Sequence, residues 1–218
     1  MIKKVGVVGA GMMGAEIALC FARAGMETVL SDTSLEIAEK GKAKQNDILE
    51  KRIKKGKLEK SEKEKILANV VPTGDVKDMA DCDIVIEAVL ENIEIKLGIF
   101  SQLDGICKPE TILASNTSSI SISKIASAVG ESRKGRVIGT HFNSPASVMK
   151  LVEVIPGLMT AAETADEVTS LLAEIGKEPV RVKDVVGFGL NRLFHCFYLE
   201  ACRLIEEGVC TPEDVDKI

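Results

Sequence analysis

The residues best suited to chemistry open the chain. Gly9-Ala10-Gly11-Met12-Met13-Gly14 follows a short β-branched, apolar run over residues 3–8 and leads into a helical pattern that lasts to Ala24. This spacing has a mechanism. Gly9 permits a tight bend, Gly11 lets the backbone approach a pyrophosphate, and Gly14 lets the helix lie close on the strand. The free amides at the helix start then face the phosphate charge. Asp32 ends the next strand-like run, residues 27–31, where a carboxylate can accept hydrogen bonds from a ribose 2′-hydroxyl. The same charge repels a 2′-phosphate, and neither Thr33 nor Ser34 brings an arginine to neutralise one. NAD is therefore expected over NADP. The competing reading is a plain turn, with Asp32 capping the helix that follows.

The chain has two histidines. His141 closes a buried strand pattern over residues 136–141, the place where sites of α/β sheets form. His195 lies in a long helical segment beside Cys196 and reads as packing or interface. Glu153 alternates with apolar neighbours in Leu151-Val152-Glu153-Val154-Ile155, so a carboxylate facing inward there needs a partner, and a histidine is the natural one. Taken alone, His141 is also compatible with a structural role. The hydroxyls of Ser115-Asn116-Thr117-Ser118-Ser119 could simply cap a helix.

The elements that must position these groups alternate. Strand patterns at residues 3–8, 27–31, 83–89, 111–115, 136–141, 150–155 and 179–182 are separated by helical ones, and residues 83–89 are apolar on both faces, as a central parallel strand is. This is the alternation of an α/β, doubly wound, Rossmann-type, mostly parallel sheet. Between residues 34 and 68 the chain is lysine-rich with a helical rhythm broken at Gly56, which predicts a helical hairpin arm; Ser61-Glu62-Lys63-Glu64 reads as a capping box for its second helix. Thr160 to Glu163 reads as another. After Lys183 the pattern becomes purely helical: residues 187–207 form one long segment ended by Gly208, and Thr211-Pro212 starts a new helix. The expected division is a nucleotide domain over residues 1–183 and, over residues 184–218, the start of an all-helical second domain. A helix begun at Thr211 and cut at Ile218 suggests a chain shorter than its folding unit.

Composition narrows the function. A net charge of −5 with pI near 5.3 argues against a nucleic-acid partner, as do the absence of Trp and a single Tyr. No stretch approaches the roughly 18 apolar residues of a membrane span, and residues 1–4 lead straight into a strand, so a cytoplasmic protein without a membrane partner is expected. Six cysteines lack metal-ligand spacing and read as reduced, packed thiols.

Three further stretches carry a resemblance. Ser115-Asn116-Thr117-Ser118-Ser119, His141-Phe142 with Lys150-Leu151-Val152-Glu153-Val154, and Gly187-Phe188-Gly189-Leu190-Asn191-Arg192 resemble the 3-hydroxyacyl-CoA dehydrogenase family, in particular its short-chain 3-hydroxybutyryl-CoA members. The likeness runs in order along essentially the whole chain. It implies NAD-dependent oxidation of an L-3-hydroxyacyl-CoA, or the reverse reduction, in fatty acid metabolism. His141 looks like the catalytic base, Glu153 like its partner, and Ser118 and Asn191 like the groups that hold the 3-oxygen. Glu91 and Lys96 match positions beside the cofactor, and Lys55, on the arm, matches a lysine near the CoA phosphate. A homodimer formed through the helical second domain is likewise implied. The chain departs from the family pattern at Ser144, where an asparagine is expected, and at Ile48, where a serine is expected. Ser147 stands where the family has a further proline. Two other functions compete with this one. One is a different β-hydroxyacid dehydrogenase, which would more naturally use a lysine base. The other is a nucleotide-binding protein with impaired or no catalysis.

Overall fold

The computed structural model describes residues 2–218. Its first half is β1 (Lys4–Val8), α1 (Met12–Arg23), β2 (Glu27–Ser31), α2 (Leu35–Lys54), α3 (Lys60–Ala68), β3 (Val70–Thr73), β4 (Ile84–Glu87), α4 (Ile93–Ile106) and β5 (Ile112–Ser115). It continues with short helices α5 (Ile122–Ile125) and α6 (Glu131–Lys134), then β6 (Val137–Phe142), β7 (Leu151–Pro156), α7 (Ala162–Glu174) and β8 (Glu178–Arg181). The last elements are α8 (Leu190–Glu206) and α9 (Pro212–Val215).

One eight-stranded sheet runs in the order β3-β2-β1-β4-β5-β6-β7-β8. The strands from β3 to β6 are parallel; β7 turns antiparallel to β6, and β8 follows β7. The expected doubly wound sheet is thus present, with a reversed pair at one edge. The order of strand addition reverses at β1, where β2 lies to one side and β4 to the other, and this is where α/β sheets open a crevice for ligands. Both faces are covered. Phe21, Leu30, Leu49 and Val168 belong to a core under α1, α2 and α7, and Phe100, Leu103 and Ile122 to a second core under α4 and α5. Burial pushes the Cys107 thiol up to about 11, so it packs as a small apolar side chain.

The hairpin of α2 and α3 lies on the domain along most of its length. Gln45 is fully buried and donates to the Ala15 carbonyl of α1 at 2.8 Å, Leu49 is fully buried, and Asn69 reaches Ala22 O at 3.0 Å. The turn near Gly56 (φ 64°), from Lys54 to Lys57, is exposed throughout. Neither expected capping box forms. Helix α3 begins a residue before Ser61, with Glu59 at its N-cap. The Thr160 hydroxyl accepts from Gly157 N at 2.8 Å and donates to the Val137 carbonyl of β6, which leaves Ala161 to start α7 without a side-chain cap. Thr211 does cap α9, accepting from Asp214 N. Among the described residues no helix is long and apolar enough to cross a membrane.

Candidate active site

The turn between β1 and α1 is built as its glycines require. Gly9 has a left-handed φ of 102°, and a Cβ there would lie 2.6 Å from the Ala88 carbonyl oxygen. A Cβ on Gly14 would lie 1.7 Å from the Gly9 carbonyl oxygen. Gly11 is different: a Cβ would meet nothing within 4 Å, so its backbone borders open space at the head of α1. No side chain caps that helix, and its first amides are left for a ligand. Asp32 follows β2. Its Oδ2 accepts from Ala10 N at 2.7 Å and its Oδ1 from Thr33 N at 2.7 Å, so it braces the glycine turn from the strand end. It does not cap α2; Ser34 does that, accepting from Ile37 N. Gly9, Gly11, Asp32, Glu91, Asn116 and Ser118 line one cleft of about 570 Å³, walled on the other side by Leu90, Ile95 and Ile99. The open backbone at Gly11, the uncapped helix, the acid and the apolar wall together fit a dinucleotide.

Beside this cleft lies a charge cluster that the sequence reading reached only in part. Glu87, at the end of β4, is fully buried; it bonds Lys96 Nζ at 2.7 Å and accepts from Ser115 Oγ at 2.6 Å. Lys96 is only 1% exposed, and its Nζ also lies 3.3 Å from Glu91 Oε2. Lys96 therefore holds carboxylates rather than facing the open cleft. Glu91 in turn gathers the loop after β5, accepting from Ser118 N at 2.9 Å, Ser119 N at 3.1 Å, Ser119 Oγ at 3.1 Å and the Thr117 hydroxyl. Burial pushes the Glu91 carboxyl up, but the Thr117 hydroxyl, the Lys96 charge and the Ser118 amide outweigh it and hold the group below its ordinary value.

His141 and Glu153 meet. They sit directly opposite each other in the antiparallel pairing of β6 and β7, and Nδ1 of the imidazole lies 2.8 Å from Oε2 of the carboxylate. Both are buried, at 6% and 2% exposure. The other carboxylate oxygen, Oε1, accepts from Gly189 N at 2.8 Å and Leu190 N at 2.9 Å, the backbone at the head of α8. Phe188, in a left-handed conformation (φ 47°), sets its ring 5.9 Å from the imidazole. The dyad is tied to the cleft by two bonds: Asn116 Oδ1 accepts from Phe142 N at 2.9 Å, and Asn191 Nδ2 donates to Ser118 O at 3.0 Å. Ser118, Asn191, His141 and Glu153 thus form one connected group, whereas Lys55 stands apart on the arm. Asn143 turns back to Leu151 O at 3.1 Å, and Ser144 is exposed. Glu87, Asn116, Phe188 and Gly189 escaped the sequence reading as site residues. Glu87 carried a signal of its own, an acid in an otherwise apolar strand, and Asn116, Phe188 and Gly189 stood within the stretches that carry the resemblance.

A parallel sheet with this glycine turn, this acid and a histidine–carboxylate pair beside the cleft defines a nicotinamide-dinucleotide dehydrogenase. Comparison with known proteins narrows the class. Residues 4–185 match the NAD binding domain of 3-hydroxyacyl-CoA dehydrogenase, and residues 187–218 match the C-terminal domain of the same enzyme. The chain is 44% identical over 215 residues to a probable 3-hydroxybutyryl-CoA dehydrogenase of Deinococcus radiodurans, covering 99% of this chain and 76% of the relative. It is 41% identical to the 3-hydroxyadipyl-CoA dehydrogenase of Escherichia coli over 99% of this chain and 45% of that one. The crystal structure of (S)-3-hydroxybutyryl-CoA dehydrogenase from Ralstonia eutropha superposes with a TM-score of 0.94 at 42% identity, over 98% of this chain and 75% of that one. This chain belongs to the 3-hydroxyacyl-CoA dehydrogenase family, and its cofactor is NAD.

Proposed function

We propose that His141 and Glu153 are the proton-handling pair of an NAD-dependent L-3-hydroxyacyl-CoA dehydrogenase acting on short acyl chains such as 3-hydroxybutyryl-CoA. The observation that carries this reading is the 2.8 Å contact between them beside the dinucleotide cleft. An ionised Glu153 accepts from Nδ1, which leaves the lone pair on Nε2, the nitrogen free to take the proton of the substrate 3-hydroxyl. As the imidazolium forms, the adjacent carboxylate stabilises it. Ser118 and Asn191 flank the same space. The Ser118 hydroxyl and the second N–H of the Asn191 amide, beyond the one given to Ser118 O, are the donors that would hold the 3-oxygen. NAD, when bound, supplies the hydride acceptor. Gly9, Gly11 and Gly14 shape its seat, Asp32 takes the ribose, and Glu91 reaches the cofactor side while Lys96 fixes Glu91 from beneath. Lys55, exposed at the end of α2, is a contact for the CoA moiety.

In this reading residues 1–183 are the NAD-binding domain and residues 184–218 belong to the helical second domain. The protein works in the cytoplasm as a homodimer. The names of the relatives cited above, hydroxybutyryl and hydroxyadipyl among them, support the substrate class. The test is the loss of NADH absorbance on adding acetoacetyl-CoA. Oxidation of NADH is expected; none by the native protein would refute the reading.

A further inference from the structure

Helix α1 buries one charged side chain. Glu16, two residues past Gly14 of the dinucleotide turn, is 9% exposed and joins none of the ion pairs among the described residues. Its Oε2 accepts twice from one residue, from Ser147 N and from Ser147 Oγ, both at 2.8 Å. Ser147 is half-buried in the loop of residues 143–150 that joins the His141 strand to the Glu153 strand. Two further residues of α1, at the i+4 and i+7 positions that share a helix face, reach the same loop. Cys20 Sγ donates to Ala146 O at 3.3 Å, and Arg23 meets Ser147 O at 3.4 Å. Phe21 sets its ring 6.4 Å from that of Phe142, the neighbour of His141.

Packing alone does not call for a carboxylate here. A charge taken out of water is costly unless it is bonded, and an apolar side chain would fill the same face of α1 without that cost. What the carboxylate adds is direction, because two bonds to one residue fix both the backbone and the side chain of Ser147. The loop is otherwise lightly held. Ser144, Pro145, Val148 and Met149 are exposed, and Lys177, just before β8, donates to Met149 O at 2.9 Å and to Ala146 O from the other side. The tie to Glu16 belongs to this chain: the proline that the family has at the place of Ser147 offers neither an N–H nor a hydroxyl.

We propose that Glu16 is a positioning residue for hydride transfer and acts through Ser147. The inference rests on the dehydrogenase reading above. That reaction needs two centres at a set separation, a cofactor seated at the head of α1 and a 3-oxygen handled by His141 near the end of β6. Reacting atoms must come within about 3–3.5 Å, and a misplacement of about 1 Å made from a distance can cost about 10²-fold in rate. Helix α1 meets the first centre with its glycine turn. It meets the second through Glu16 and Ser147, on the loop that leaves His141, so one rigid helix gauges the distance between them.

The test is a single-turnover measurement on the whole chain, following NADH absorbance after the protein–NADH complex is mixed rapidly with saturating acetoacetyl-CoA. The parent is compared with Glu16→Ala, Glu16→Gln, Ser147→Pro and the double variant Glu16→Ala, Ser147→Pro. Glu16→Ala should slow hydride transfer by about tenfold, short of 10²-fold because Lys177 still tethers the loop. Its NAD affinity should stay within about twofold of the parent, which also reports that it is folded. An amide oxygen can still accept both bonds, so Glu16→Gln should recover most of the rate. Ser147→Pro should be slowed as well, and the double variant should be no slower than the slower single one, because one tie is cut twice. An unchanged rate in Glu16→Ala would overturn the inference. Equal slowing of Glu16→Gln, an equal loss of NAD affinity, or multiplied effects in the double variant would overturn it too. A parent that does not oxidise NADH at all would instead refute the dehydrogenase reading, and this inference would fall with it.

Discussion

Glu153 serves three donors with two oxygens: the His141 imidazole on one side and the Gly189 and Leu190 amides on the other. Removing its charge while keeping its shape should therefore disturb chemistry before stability. Glu153→Gln is expected to lower kcat by about 10²-fold with NAD affinity retained, read by steady-state kinetics beside a cofactor titration. Glu153→Ala abandons all three donors in a buried site, and chemical denaturation should show a loss of about 1–3 kcal/mol. His141→Gln should cut turnover by about 10²- to 10⁴-fold and spare NAD binding; an equal loss of NAD affinity would make the histidine structural instead. At the other end of the cleft, Asp32→Ala removes both a ribose acceptor and the brace on Ala10 N. Weaker NAD binding and relaxed discrimination against NADP are expected, and an unchanged preference on titration would reject the assignment.

At the scale of elements, the loop after β5 is shaped by a carboxylate from the loop after β4. Glu91 collects four donors there, and its folded value lies below the ordinary 4.5. A depressed value means that folding favours the charged form. Its contribution is present in full above about pH 4.5 and is lost as pH falls through the lower folded value. Glu91→Gln should therefore lower Tm most near neutrality and bring the two proteins together in acid. A deficit that grew as pH fell would contradict this sign. Asp184 plays a matching part in the linker to α8. Its carboxylate binds Ser121 Oγ at 2.9 Å, Ile122 N at 3.0 Å and Ser123 N at 2.8 Å, so the start of α5 and the approach to Gly187 are fixed to one another.

At the scale of the molecule, α8 is the element least covered. None of its residues is buried, and Leu193, Phe194 and Phe197 stand 71%, 45% and 68% exposed on a strongly amphipathic helix. Its head nevertheless holds Glu153 and Ser118 in place, so the helix links the site to whatever covers its apolar side. An apolar face of this kind marks an interface, and a second copy of the chain is the partner we propose. Sedimentation of the native protein should report a dimer, and Leu193→Gln with Phe197→Gln should shift it toward monomer. A monomeric native protein would refute the proposal.

The order of strands and helices and the glycine turn were legible in the sequence because each rests on local chemistry: side-chain periodicity, and bends and close approaches that only glycine allows. Asp32 was legible for the same reason, being tied to the end of β2. The two capping boxes do not form for tertiary and local reasons: the Thr160 hydroxyl accepts from Gly157 N and donates to a carbonyl on β6 instead of capping α7, and α3 starts one residue before Ser61. The pairing of His141 with Glu153 could be suspected from an acid among apolar residues. Its geometry depends on β7 reversing beside β6, and the amides that hold Glu153 come from 36 and 37 positions further along the chain. Periodicity and glycine placement act between neighbours in sequence, and those the sequence determined by itself. Register between strands and the partners of a buried charge are contacts at long range, which only the tertiary structure decides.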